Sequence, residues 1–98
     1  MHVVADLCVI PILENQSLSP YVAECQKILT QAGLSHQLHA YGTNVEGDWD
    51  EVMAAVKRCH EAVHAMGAAR ISSNLKLSTR NDKEQSIESK IKHVEEIL

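Results

Sequence analysis

The chain has 98 residues, of which 45% are hydrophobic and 22% charged, and a formal net charge of -4. This suits one folded domain over residues 1–98 and argues against disorder. Scattered Lys and Arg, with Tyr21, Tyr41 and Trp49 as the only aromatics, leave no basic or stacking surface for nucleic acid, and no stretch approaches the ~20 apolar residues that span a membrane.

The N-terminus lacks a basic region followed by a long apolar run, so no signal peptide is expected. Cys8, Cys25 and Cys59 are well separated and form no C-x-x-C pair. Three reduced thiols in a cytoplasmic protein are the plain expectation.

His2 to Ile12 reads as a strand. Val3, Ala5, Leu7 and Val9 share one face, and Val4, Asp6, Cys8, Ile10 and Ile12 the other. Both faces are largely apolar, which predicts a central strand. The next segment is a helix, with Ser19 as N-cap, Pro20 at the first helical position and Gly33 at the left-handed C-cap. Its apolar stripe is Val22, Cys25, Ile28, Leu29 and Ala32. Residues 34–46 read as a hairpin turned at Gly42, with a short return strand from Thr43 to Glu46. Asp48 and Glu51 form a capping-box pattern that opens a helix running to Met66. Its stripe is Trp49, Val52, Val56, Cys59, Val63 and Met66. A strand around residues 69–80 places Ile71, Ser73, Leu75 and Leu77 on one face and Ser72, Asn74, Lys76 and Ser78 on the other. A charged helix from about Asp82 closes the chain.

Strand, helix, strand, strand, helix, strand is the order of a ferredoxin-like βαββαβ sandwich, an α+β fold with an antiparallel sheet, here with an extra C-terminal helix. Two helices cover one sheet face. The other face carries Val4, Cys8 and Ile10 and needs a partner or the last helix, which predicts self-association through it as a dimer or tetramer.

The motif His60-Glu61-Ala62-Val63-His64 matches the zincin pattern letter for letter. Its helical phase is wrong, however: Glu61 points to solvent, no third ligand follows at the required spacing, and His60 falls on the flank of the stripe. Cys59 beside His60 lies in the apolar stripe and reads as core, because neighbours in sequence on a helix do not face each other. No metal site and no catalytic residue are therefore expected. On the open face the topology gathers Asp6, Asn44, Glu46, Asn74 and Lys76. Burying such charges is costly unless they are paired. Two readings stay open: an interfacial Glu46–Lys76 salt bridge, or a small polar ligand held where subunits meet.

The segments ADLCVIP, GTNVEGDWDEVM and LKLSTRNDK, with HE in the second helix, resemble in order the YkoF-like group of small thiamine-binding proteins with a ferredoxin-like fold. The likeness covers essentially the whole chain, and its G-T-x-x-E-G-x-W-D-x-V-M segment is the most specific part. The matching positions are Asp6, Pro11, Gly42, Thr43, Glu46, Gly47, Trp49, Asp50, Lys76, Arg80, Asp82 and Lys83. Asn44 and the Ser78–Thr79 pair depart from the pattern. The resemblance implies a non-catalytic homo-oligomer, dimeric or tetrameric, that binds thiamine or its pyrimidine moiety near a subunit interface, with no other cofactor. Asp6, Thr43, Asn44, Glu46, Asn74 and Lys76 are the ligand-binding set it suggests. The alternative is an oligomeric scaffold without a ligand.

Overall fold

The computed structural model describes all 98 residues. The elements are β1 (His2–Pro11), α1 (Ser19–Gln31), β2 (Ser35–His39), β3 (Gly42–Asp48), α2 (Trp49–Ala65), β4 (Ile71–Ser78) and α3 (Ile87–Glu95). They form one antiparallel sheet of order β2-β3-β1-β4. This is the expected ferredoxin-like sandwich with β1 central and an added C-terminal helix.

Alternation along β1 decides the layers. Val3, Ala5 and Leu7 are buried beneath α1 and α2, and join Leu29, Leu34, Val45, Val52 and Ala55 in one core cluster. A second cluster holds Tyr21, Cys25, Ile28, Cys59, Val63 and Ala68 between the helices, and Val9 packs against both. Fully burying a side chain such as Leu29, 1% exposed, is worth about 1.5–3 kcal/mol.

Several boundaries differ from the sequence reading for identifiable reasons. Helix α1 is opened by Ser17, whose Oγ accepts from the Ser19 N–H, rather than by a Ser19 cap; the N-cap residue Leu18 has no side-chain bond. Tyr21 takes the buried place expected of Val22. Gly33, at φ 71°, ends the helix in the left-handed region as anticipated.

The hairpin turns at Ala40–Tyr41, and Gly42 is already the first residue of β3, paired with His39. Strand β3 extends to Asp48 because β1 pairs with it as far as His2↔Asp48. Asp48 caps α2 by accepting from the Asp50 N–H. Its other oxygen takes the Met1 ammonium at 3.0 Å, so the expected reciprocal bond from Glu51 is not made. Helix α3 starts at Ile87, not near Asp82. The segment before it is held by Arg80 gripping Asp82 with two hydrogen bonds, and the helix is launched by a Ser86–Ser89 capping box.

Candidate functional site

The face of the sheet turned away from α1 and α2 is where the candidate residues converge. Even-numbered residues of β1 point there. Register puts Val4 between Glu46 and Ser78, Asp6 between Asn44 and Lys76, and Cys8 beside Asn74. Helix α3 crosses one end of this face and divides it.

On the β1–β4 side of α3 lies an open cleft of about 500 Å³. Its polar lining includes Asp6, His39, Asn44, Lys76, Ser78 and Lys90, and its apolar walls come from Val4, Ile87 and Ile91. At its centre the Nε2–H of His39 donates to Asp6 Oδ1 at 2.6 Å. The other ring nitrogen, Nδ1, accepts from the Tyr41 backbone N–H at 3.2 Å. The hairpin turn therefore fixes the tautomer that faces Asp6.

Gly42 makes this pairing possible. A Cβ there would lie 2.8 Å from the Leu7 carbonyl oxygen and 3.5 Å from both Asp6 Oδ1 and His39 Cε1. Lys76 stands directly opposite Asp6 across the β1–β4 ladder, yet Asp6 pairs with His39 and Lys76 enters no salt bridge. The cleft thus presents an oriented carboxylate–imidazole pair, an amide and two exposed ammonium groups, Lys76 and Lys90.

The six residues singled out from the sequence separate in space. Asp6, Asn44 and Lys76 line the cleft together. Asn74 shares the open face but lies opposite Cys8, outside the cleft. Thr43 is on the other face: it is 4% exposed and its Oγ1 accepts from Gln26 Nε2 of α1 at 2.8 Å.

Glu46 faces the open side but beyond α3, in a separate depression. Its Oε2 accepts from the Ile87 N–H, the first residue of α3, at 3.1 Å, and pairs with His2 Nε2 at 3.2 Å. A carboxylate at a helix N-terminus is favourably placed in the helix dipole, so Glu46 anchors α3 to the sheet. The expected Glu46–Lys76 salt bridge does not form, because one rung of the ladder and Val4 separate the two residues.

His39 is the residue the sequence reading passed over. It has no ligand-type spacing to another His. The available signal was its place beside Gly42 at the end of a hairpin that pairs with β1.

The zincin-like histidines are engaged separately. His60 Nε2 bonds Ser73 Oγ at 2.7 Å, and His64 Nδ1 donates to the Ala68 carbonyl at 2.7 Å. No group of three or more His, Cys, Asp or Glu side chains is placed to hold a metal ion. Cys59 is 0% exposed, and its thiol is pushed up by its hydrogen bond to Cys25 and by burial, the opposite of what a thiolate nucleophile needs.

A four-stranded antiparallel sheet with two helices on one face and a polar cleft under a third helix on the other defines a ferredoxin-like α+β protein. The chain belongs to the thiamine-binding protein family, whose model matches residues 5–95. It is 59% identical to the UPF0045 protein sll0230 of Synechocystis sp. over 95 residues, covering 97% of this chain and 78% of that relative. Among solved structures it is similar to protein MJ1052 from Methanocaldococcus jannaschii, with a TM-score of 0.89, 37% identity and 97% of each chain covered. TM0486 from Thermotoga maritima shares the fold, with a TM-score of 0.83 at 21% identity over 96% of this chain and 99% of that one. No helix is long and apolar enough to cross a membrane.

Proposed function

We propose that this is a non-catalytic, oligomeric, cytoplasmic protein that binds thiamine or its pyrimidine moiety in the cleft between the open sheet face and α3. The observation that carries the reading is the Asp6–His39 pair, 2.6 Å apart in that cleft, in a member of the thiamine-binding protein family. Thiamine carries a fixed thiazolium charge and an aminopyrimidine edge. A carboxylate held by an imidazole suits either, and hydrogen bonds with an ionised partner are about twice as strong as neutral ones. Lys76 and Lys90 extend the site toward a phosphate ester. The three free cysteines suit a reducing compartment.

Self-association through the open face fits the half-buried Cys8 and Ile10, which α3 leaves uncovered, and Ile91 and Val94 of α3, which are 43% and 58% exposed. These apolar groups also favour the second reading, a ligand-free oligomeric scaffold.

Titration calorimetry with thiamine, its phosphates and hydroxymethylpyrimidine tests the proposal, with Asp6→Asn and Lys76→Met as variants. Saturable thiamine binding weakened by Asp6→Asn supports it, and a phosphate preference lost in Lys76→Met assigns the ester. No binding at millimolar thiamine overturns it. If the same variants change only the oligomeric state, the scaffold reading stands instead.

A further inference from the structure

A second concavity lies at the opposite end of the hairpin from Glu46. It is a groove of about 750 Å³ between the start of α1, the outer half of β1 and the β2–β3 turn. Twelve of its 17 lining residues are apolar, among them Leu18, Val22, Leu29, Leu38 and Tyr41. Size and lining match those of small-molecule sites.

The backbone supplies what an apolar groove alone lacks. The Trp49 N–H donates to the Met1 carbonyl, and the Ile12 N–H to the Arg70 carbonyl. With the two registers, these bonds fix the parity of β1. Its odd residues turn their N–H and C=O toward β3 and its even residues toward β4. The β1–β3 ladder stops at Leu7↔Thr43. The next odd residue, Val9, still pairs sideways in register with β4, yet it has no strand opposite on the β3 side, because the chain has already turned at Ala40–Tyr41. Val9 lines the groove and takes part in none of the backbone bonds outside the regular elements. One N–H and one C=O of a single extended residue therefore face an apolar groove side by side.

That pair is one rung long. Leu7 is taken on one side, and Pro11, the next odd residue, has no N–H. A peptide strand could not propagate along so short an edge. A planar heteroaromatic ring needs only one rung: a ring nitrogen accepts from the Val9 N–H while an adjacent amino group donates to the Val9 C=O, and the ring faces lie against apolar side chains. The Thr43–Gln26 hydrogen-bonded pair adds a polar point on the wall.

We propose that the Val9 groove is a binding site for an uncharged, flat heteroaromatic amine carrying its amino group beside a ring nitrogen. The proposal does not rest on the cleft at Asp6, which offers charge where the groove offers apolar walls.

Binding of 4-aminoquinazoline to the full chain, followed by amide NMR and hydrogen exchange, is the test. Val9 should exchange fast for a residue in a central strand, then shift and gain protection on saturation, by about tenfold or more. The analogue with methyl in place of amino should bind about tenfold more weakly. Ala23→Trp, at an exposed α1 position that lines the groove, should abolish this binding and leave thiamine binding unchanged. Asp6→Asn should do the reverse, so failure of either site is read separately. The proposal is overturned if the probe perturbs only Asp6, Lys76 and their neighbours, or if nothing saturates at millimolar probe. It also falls if the Val9 amide is already protected without ligand because a second copy of the chain occupies the edge.

Discussion

Glu46 invites the sharpest test, because the resemblance places it among ligand contacts whereas the structure makes it the anchor of α3. The side chain is 13% exposed, and one oxygen takes both the Ile87 N–H at 3.1 Å and His2 Nε2 at 3.2 Å. A hydrogen bond to a charged acceptor contributes about 1.5–3 kcal/mol when it is shielded from water. The half-exposed His2 pair adds little. Helix α3 has nine residues, too few to hold its form alone, and Ile87 is its only buried residue. Glu46→Ala should therefore cost about 2 kcal/mol, which for a domain of this size lowers Tm by roughly 8 °C or more. Glu46→Gln keeps an acceptor without the charge and should lose about half as much. Hydrogen exchange locates the effect: amides of residues 90–95 should lose protection in Glu46→Ala while those of β1 keep theirs. A Tm within about 2 °C of the parent, with α3 still protected, would refute the anchoring role. Any loss of ligand affinity in Glu46→Ala should track the loss of α3 protection, since Ile87, Lys90 and Ile91 wall the cleft.

Three further outcomes are expected. Gly42→Ala brings a Cβ to 2.8 Å from a backbone oxygen; it should cost about 1–3 kcal/mol in urea titrations and shift the His39 ring resonances, and a neutral result would remove Gly42 from the site. The Met1 ammonium, bonded to Asp48, holds that carboxyl below the usual carboxylate range. The stabilisation is therefore present above about pH 4 and is lost as pH falls through the lower, folded value. N-terminal acetylation should flatten the acid limb of the stability profile, and an unchanged limb would contradict the assignment. Under native conditions a thiol reagent such as DTNB should label the half-buried Cys8 and spare the buried Cys25 and Cys59 until the protein is unfolded; rapid labelling of all three would show that the helix-facing core opens.

The sequence by itself determined the order of elements and the two faces of β1, because alternation at period two and stripes at period 3.6 are local properties of the chain. It also placed Gly33 at the end of α1, Asp48 at the start of α2, and Asp6, Asn44 and Lys76 on one side of the sheet. The boundaries it misjudged were set by neighbours at a distance. Strand β3 is longer than its composition suggests because β1 pairs with it to Asp48, and α3 is shorter because Ser86 makes a better start than the Arg80–Asp82 clasp before it. Parity already separated Thr43 from Asn44; what held Thr43 inside was Gln26, on a helix 17 residues away.

Only the tertiary structure decided which polar residues share a cleft. Glu46 and Asp6 share a face and lie two residues from register on neighbouring strands, and nothing in the sequence says that α3 will lie between them. His39 joins Asp6 across 33 positions, through a space that exists because Gly42 has no side chain. A side chain's face is written in its nearest neighbours along the chain, whereas its partner depends on register, on a glycine's empty volume and on where the last helix settles.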